Sequence, residues 1–150
     1  MSEQPMSVWV ALAFPFFFVG LWVLICQVLG RLGGWLRLAE VYGTPGFDVQ
    51  GRRFRLRSGS FGWVGYNNVL TFEAGPRGLA FSVPLLFRVG HPPFAVPWSD
   101  IELRAGTRWR VPVVELRFVR CPEVRVAVTR RLAEQITAAA GVSHRLPIRA

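Results

Sequence analysis

VWVALAFPFFFVGLWVLICQVL, residues 8–29, is the stretch whose reading decides how this chain is built. Its 22 residues carry no charge and one side-chain amide, Gln27. About 20 apolar residues in a helix cross the hydrocarbon core of a bilayer. A helix is the only single-segment solution there, because every backbone N–H and C=O must find its partner inside the segment. Pro15 and Gly20 would interrupt a soluble helix but are tolerated in a membrane. Trp9 near one end and Trp35 beyond the other suit the two interfaces. Residues 8–30 are therefore read as a transmembrane helix behind a short tail, residues 1–7. The rival is a cleaved signal peptide, which needs a basic leader and an apolar core of roughly 7–15 residues. Met1 to Ser7 contains no Lys or Arg, and the apolar run is longer, so an uncleaved anchor is expected. A lipoprotein signal places small residues before its cysteine, whereas Val23, Leu24 and Ile25 precede Cys26.

Outward from this helix the composition changes. No basic residue precedes it, while Arg31, Arg37, Arg52 and Arg53 follow. Positive charge on that side predicts an inner (cytoplasmic) membrane protein with its N-terminus outside and its domain in the cytoplasm. The chain has 18 basic residues, every one Arg, against nine acidic residues, a formal net charge of +9. GC-rich coding would give this bias. Selection for bidentate contacts with phosphate or carboxylate would give it too, and composition does not separate the two. Cys26 lies in the apolar run and Cys121 far from it, so no disulfide framework is expected, which fits a reducing compartment. Residues 31–46 read as a juxtamembrane helix or linker. Trp35, Leu36, Leu38, Ala39 and Tyr42 alternate there with Arg37 and Glu40, a mixture that suits either the interface plane or packing onto the domain that follows. Gly43 to Gly46 ends any helix.

From Phe47 the period is two. Arg53-Phe54-Arg55-Leu56-Arg57 alternates charge with apolar bulk. Leu70, Phe72 and Ala74 share a face, Gly75-Pro76-Arg77-Gly78 turns, and Leu79, Phe81 and Val83 resume the alternation, which is a hairpin. Leu85-Leu86-Phe87 reads as a buried run. Pro92, Pro93 and Pro97 stop a regular strand after it. Ile101 and Leu103 alternate again. Val111 and Val113 lead into Val114, Leu116 and Phe118 with a change of phase that marks a bulge or bend. Val124, Val126 and Val128 form a last strand. The period then lengthens: Thr129 caps a helix over 129–140 with Leu132, Ile136 and Ala140 on one face, and Gly141 stops it. The expected fold is a single transmembrane α-helix followed by an α+β, mainly β, domain over 47–141. That domain has about seven antiparallel strands in a curved sheet or partly open barrel, capped by the C-terminal helix. A flexible tail, 142–150, ends the chain.

Four segments then carry a resemblance: Gly78-Leu79-Ala80-Phe81-Ser82-Val83, Leu86-Phe87-Arg88, His91-Pro92-Pro93-Phe94 and Val96-Pro97-Trp98-Ser99-Asp100-Ile101. Together they resemble the G-L-x-hydrophobic … F … I-P-W-x-D-I pattern of pleckstrin-homology-like (PH-like) domains of the bacterial PH or GRAM type. They also resemble short bacterial single-pass membrane proteins that attach this module to one helix. Over roughly residues 47–140 the resemblance implies a domain that binds acidic lipid head groups, peptides or proteins, or that serves architecture alone. Lipid-binding members use basic residues around the first strand and the loop after it. Here Arg52, Arg53, Arg55 and Arg57 precede the loop Ser58 to Gly62, although the family's motif includes Lys and this chain has none.

Candidate ligand- or partner-binding residues are Arg52, Arg53, Arg55, Arg57, Phe61, Trp63, His91 and Trp98. Three of the arginines alternate onto one face, where each charge near an anionic surface is worth about 1 kcal/mol; a solvated strand face is the plainer reading. Phe61, Trp63 and Tyr66 surround a Gly-rich loop and are either core or interface aromatics. His91 and Trp98 belong to a rigid loop, a recognition loop or a structural corner. Ser99 and Asp100 near His91 lack a nucleophile elbow, an ordered base and an oxyanion hole, so no catalytic residue is assigned and no enzyme is expected. Two His and two Cys, at 26, 91, 121 and 144, have no metal-ligand spacing, and neither metal nor cofactor is expected. No nucleic-acid-binding motif accompanies the basic charge. The function expected is a membrane-anchored, non-enzymatic binding or scaffold module facing anionic lipid or a protein partner. The alternative is a structural accessory subunit of a larger membrane complex.

Overall fold

The computed structural model describes residues 4–146; the outer parts of the two expected tails, 1–3 and 147–150, lie outside the described residues. Helix α1 runs Gln4–Leu32 and is long and apolar enough, over Met6–Leu32, to cross a membrane. Helix α2, Trp35–Tyr42, follows after a two-glycine turn. Gly34 has φ 81°, and a Cβ there would fall 2.7 Å from Val124, so the chain turns at the one residue type that fits.

Seven strands follow: β1 Arg52–Phe61, β2 Val64–Gly75, β3 Gly78–Ser82, β4 Phe94–Pro97, β5 Ile101–Arg108, β6 Val111–Phe118 and β7 Cys121–Thr129. They form one antiparallel sheet in the order β4-β3-β2-β1-β7-β6-β5. The end strands β4 and β5 do not pair, so the sheet does not close into a barrel. Helix α3, Arg130–Ala140, begins where the Thr129 hydroxyl accepts the Leu132 N–H at 3.3 Å and ends at Gly141, φ 71°.

The core lies on one face of the sheet. Phe61, Phe72, Phe81, Phe118, Leu70, Leu79, Val114 and Val126 are fully buried, and α3 adds Leu132 and Ile136. Helix α2 contributes Trp35, Leu38 and Tyr42, at i, i+3 and i+7 on one face. Trp35 is 0% exposed, so it is a core residue and not an interfacial one. A domain of this size has too little sheet surface to shield its own apolar face, and both helices are needed to cover it.

Several local expectations are corrected. The alternation in β1 breaks at a bulge: Leu56 has φ 54° and is exposed, and Arg57 pairs with Leu70 where unbroken pairing would place Leu56. No bulge marks the change of phase at Val113–Val114, where the register of β6 with β5 and β7 is continuous; the irregularity falls at Arg117–Phe118 against β7. Trp109 and Arg110, both at positive φ, turn the hairpin, and Val111 and Val113 lie on the face away from the core. Phe94–Pro97 does form a strand, at the sheet edge where proline is tolerated. Leu85-Leu86-Phe87 is not a buried run but a single 3₁₀ turn with both leucines exposed. Residues 142–146 are docked: Val142 and Leu146 pack against the core, and the Arg145 guanidinium donates to the Trp98 carbonyl.

Candidate functional site

The bulge at Leu56 divides the arginine cluster between two faces. Arg52 and Arg57 stay on the core side of β1, where both guanidinium groups sit over the Phe54 ring, at 5.3 and 5.9 Å from its centroid. Arg57 faces α3 across a groove shared with Thr129, Arg131 and Gln135. Arg53 and Arg55 lie on the opposite face. They line an open groove of about 740 Å³ together with Thr71, Glu73, Ser82 and Arg88. Arg53 Nε donates to Glu73 Oε2 at 2.9 Å, which neutralises the one carboxylate lining this groove. Among the described residues Arg55 makes no hydrogen bond or ion pair. Two arginines beyond the neutral Arg53–Glu73 pair thus give the groove a net positive field. Its near end is Pro84 and Arg88, in the loop that rests on α1.

That loop is held from three elements. His91 is 2% exposed. Its Nδ1 lies 3.1 Å from the Phe87 carbonyl, and because a carbonyl only accepts, Nδ1 carries the proton. Nε2 therefore accepts the Tyr66 hydroxyl at 2.8 Å. Burial pushes the Tyr66 hydroxyl up to about 12, so it remains a donor throughout the physiological range. Trp35 Nε1 donates to the Pro92 carbonyl at 2.8 Å, and Trp22 Nε1, from α1, donates to the Leu86 carbonyl at 3.1 Å. With both ring nitrogens committed, His91 does not pair with Ser99 or Asp100.

Burial pushes the His91 imidazole below its ordinary 6.5, against the hydrogen bond it gives Phe87. The unfolded chain then binds the extra proton more readily than the native one. Stability is fully present above pH 6.5 and is lost as pH falls through that value, by at most about 1.4 kcal/mol per pH unit. Thermal melts of the full-length protein between pH 7.5 and 5 are expected to show this decline. His91→Gln, which cannot titrate, is expected to flatten it; an unchanged pH slope in the variant would remove His91 as the cause.

The remaining candidates separate by burial. Phe61 is inside the core against Trp35, with ring centroids 4.7 Å apart. Trp98 is buried and donates from Nε1 to the Gly75 carbonyl at 2.7 Å, which makes it a corner post between β2 and β4. Trp63 is 94% exposed at the β1–β2 tip. With Trp109, 90% exposed at the β5–β6 tip, it borders a groove of about 710 Å³ that also holds Glu115, Glu123, Arg108 and Arg125. Sequence reasoning missed Trp22, Arg88 and Trp109. Arg88 and Trp109 face solvent from loops where no period operates, and Trp22 is one apolar residue among many in α1.

Comparison with protein-family models, with curated proteins and with solved structures gives no match for this chain.

Proposed function

We propose that this protein is a single-pass, membrane-anchored, non-enzymatic binding module. Its domain is PH-like, sits at the cytoplasmic face, and takes an anionic lipid head group in the Arg53–Arg55–Arg88 groove. The observation that carries this reading is that groove: three arginines against one carboxylate, ending at a loop packed on the apolar helix. Guanidinium groups suit phosphate, which they bind bidentately. The seven-stranded antiparallel sheet followed by one C-terminal helix supports the PH-like assignment. Two features support a retained anchor over a cleaved signal. Cys26 of α1 is buried, and Gly30 approaches Gly90 so closely that a Cβ on Gly30 would lie 2.2 Å from the Gly90 carbonyl oxygen. A segment destined for removal has no reason to fit the domain this way. Arg31 in the last turn of α1 and Arg37 in α2 support the cytoplasmic orientation.

The test is native mass spectrometry of the full-length protein in detergent, titrated with phosphatidylglycerol or phosphatidylcholine. The wild type is expected to retain phosphatidylglycerol selectively. Arg55→Glu/Arg88→Glu is expected to weaken that retention on the order of 10- to 100-fold, from about 1 kcal/mol per basic group and the repulsion that replaces it. Equal retention by both proteins would dismiss the groove as a lipid site. A second reading, an accessory subunit of a larger membrane complex, is favoured by the exposed pair Trp63 and Trp109, since tryptophan is enriched where partners dock. A stoichiometric protein partner held equally by wild type and the arginine variant would favour that reading.

A further inference from the structure

We infer that the loop Pro84–Val89 inserts into the bilayer beside α1, with Leu85 and Leu86 in contact with lipid acyl chains. The domain is then docked in the membrane at two points and does not hang from one. This rests on the reading of α1 as a retained membrane anchor.

Depth is the first argument. The apolar span Met6–Leu32 is longer than the roughly 20 residues a bilayer core requires. A 20-residue window placed anywhere in it contains Trp22. The Trp22 indole donates to the Leu86 carbonyl, and its ring packs on Phe87 with centroids 5.3 Å apart. The loop therefore reaches the level of a residue inside the hydrocarbon or at its border. That is about 13 Å along the helix from Arg31, at 1.5 Å per residue.

Backbone chemistry is the second. Irregular chain is stable at that depth only where its polar groups are satisfied by protein. The six consecutive carbonyls from Val83 to Arg88 are satisfied in this way. Val83 accepts from Arg88 Nε and Pro84 from the Phe87 N–H. Leu85 accepts from the Arg88 N–H and Leu86 from Trp22 Nε1. Phe87 accepts from His91 Nδ1 and Arg88 from the His91 N–H. One of these partners, the Trp22 indole, comes from 64 residues away on α1. A loop bathed in water would not require it.

The third argument is what the loop displays. Leu85 is 78% and Leu86 67% exposed, next to the equally exposed apolar surface of α1. Arg88 follows two residues later, placed to reach head groups from its flexible stem. The Gly62–Trp63 tip abuts Leu32 and Gly33, so the exposed Trp63 lies at the level where α1 ends. Acyl chains are the occupant that fits a surface continuous with a membrane helix.

The experiment uses full-length protein in phosphatidylcholine–phosphatidylglycerol vesicles, with Leu86→Cys, Leu85→Cys, Phe17→Cys and Arg77→Cys each carrying an environment-sensitive fluorophore. The native thiols Cys26 and Cys121 are buried, and labelling of the unsubstituted protein sets the baseline. Phe17 reports the middle of α1, and Arg77 reports the far end of β3 from the loop. The expected result is quenching of the Leu85 and Leu86 labels by lipid-borne nitroxide at least fivefold stronger than quenching by aqueous iodide, as at Phe17, with the reverse at Arg77. Iodide quenching at Leu85 and Leu86 with Phe17 still in lipid would overturn the insertion and leave the anchor standing. Quenching by neither agent would overturn it in favour of a protein covering. A Phe17 label open to iodide would overturn the anchor itself.

Discussion

Replacing Trp35 by Ala is expected to lower the stability of the domain by about 3–5 kcal/mol, the range for deleting a large buried aromatic. Trp35 is fully buried and is the point where α2 enters the sheet. Its ring lies 4.7 Å from Phe61, 5.2 Å from Phe94 and 5.4 Å from His91, centroid to centroid, and its N–H satisfies Pro92. The substitution empties a site lined by β1, β2 and β4 and leaves the Pro92 carbonyl without its indole donor. Domains are stable by about 5–15 kcal/mol, so a large share of the total is at stake. At this domain size the thermal midpoint is expected to fall by ~15 °C or more. Trp35→Phe separates the two contributions: most of the ring contacts persist, and only the hydrogen bond to the Pro92 carbonyl is lost, for about 0.5–1.5 kcal/mol. Chemical unfolding of the full chain in detergent, followed by near-ultraviolet circular dichroism, measures both. A Trp35→Ala protein as stable as the wild type would mean that α2 is not part of the core.

The Trp35 case also marks how far the sequence could be read. Hydrophobic periodicity is a local signal, and where a face is decided locally it was legible. The apolar helix, the hairpin through Gly75–Gly78, the valine alternation of β7 and the capped α3 all follow from spacing, because neighbouring side chains there share one environment. Trp35 sits three residues beyond the last residue of α1, a position that an interfacial tryptophan and a core tryptophan occupy equally well. Only the turn at Gly33–Gly34 decides between them, and a sequence does not show in which direction a turn sends the chain.

The arginine face was half legible for a related reason. Alternation assigns Arg53, Arg55 and Arg57 to one side only while φ stays negative. Leu56 at φ 54° resets the count by one, and Arg57 crosses to α3. Arg88 joins Arg53 and Arg55 through the β3–β4 connection, a contact between residues 33 or more positions apart. Leu85-Leu86-Phe87 misled in the opposite direction. Apolar residues signal exclusion from water, and both a protein core and a lipid bilayer provide it. A soluble domain offers such a run the core alone. Beside a helix of 29 residues, much of it apolar, that second choice exists.

Gly30→Val is expected to release the loop 84–90 from α1 while leaving the domain folded. A Cβ at Gly30 would stand 2.2 Å from the Gly90 carbonyl oxygen, which is backbone and cannot rotate aside. Gly90 itself has φ 83°, and a Cβ there would meet the Cys26 carbonyl at 2.7 Å, so neither partner has room to yield. Separation breaks the Trp22–Leu86 hydrogen bond, worth about 0.5–1.5 kcal/mol net, together with the burial of Cys26 and part of Phe87. Tenfold in an opening equilibrium corresponds to about 1.4 kcal/mol, so amide exchange at Phe87, Arg88 and His91 is expected to quicken by roughly 10- to 100-fold. The Trp35–Pro92 and Tyr66–His91 bonds hold the base of the loop from inside the domain, and the melting temperature is expected to move by only a few degrees. Gly20→Val is the control on the same helix: a Cβ there meets nothing within 4 Å, and exchange in the loop is expected to stay as in the wild type. If Gly30→Val likewise left the loop amides protected, the close approach of α1 would not be what holds the loop. The domain would then be tethered by the Gly33–Gly34 turn alone. If instead exchange quickened across β2, β3 and β4 together, the glycine contact would support the whole fold and not a separable docking of loop to helix.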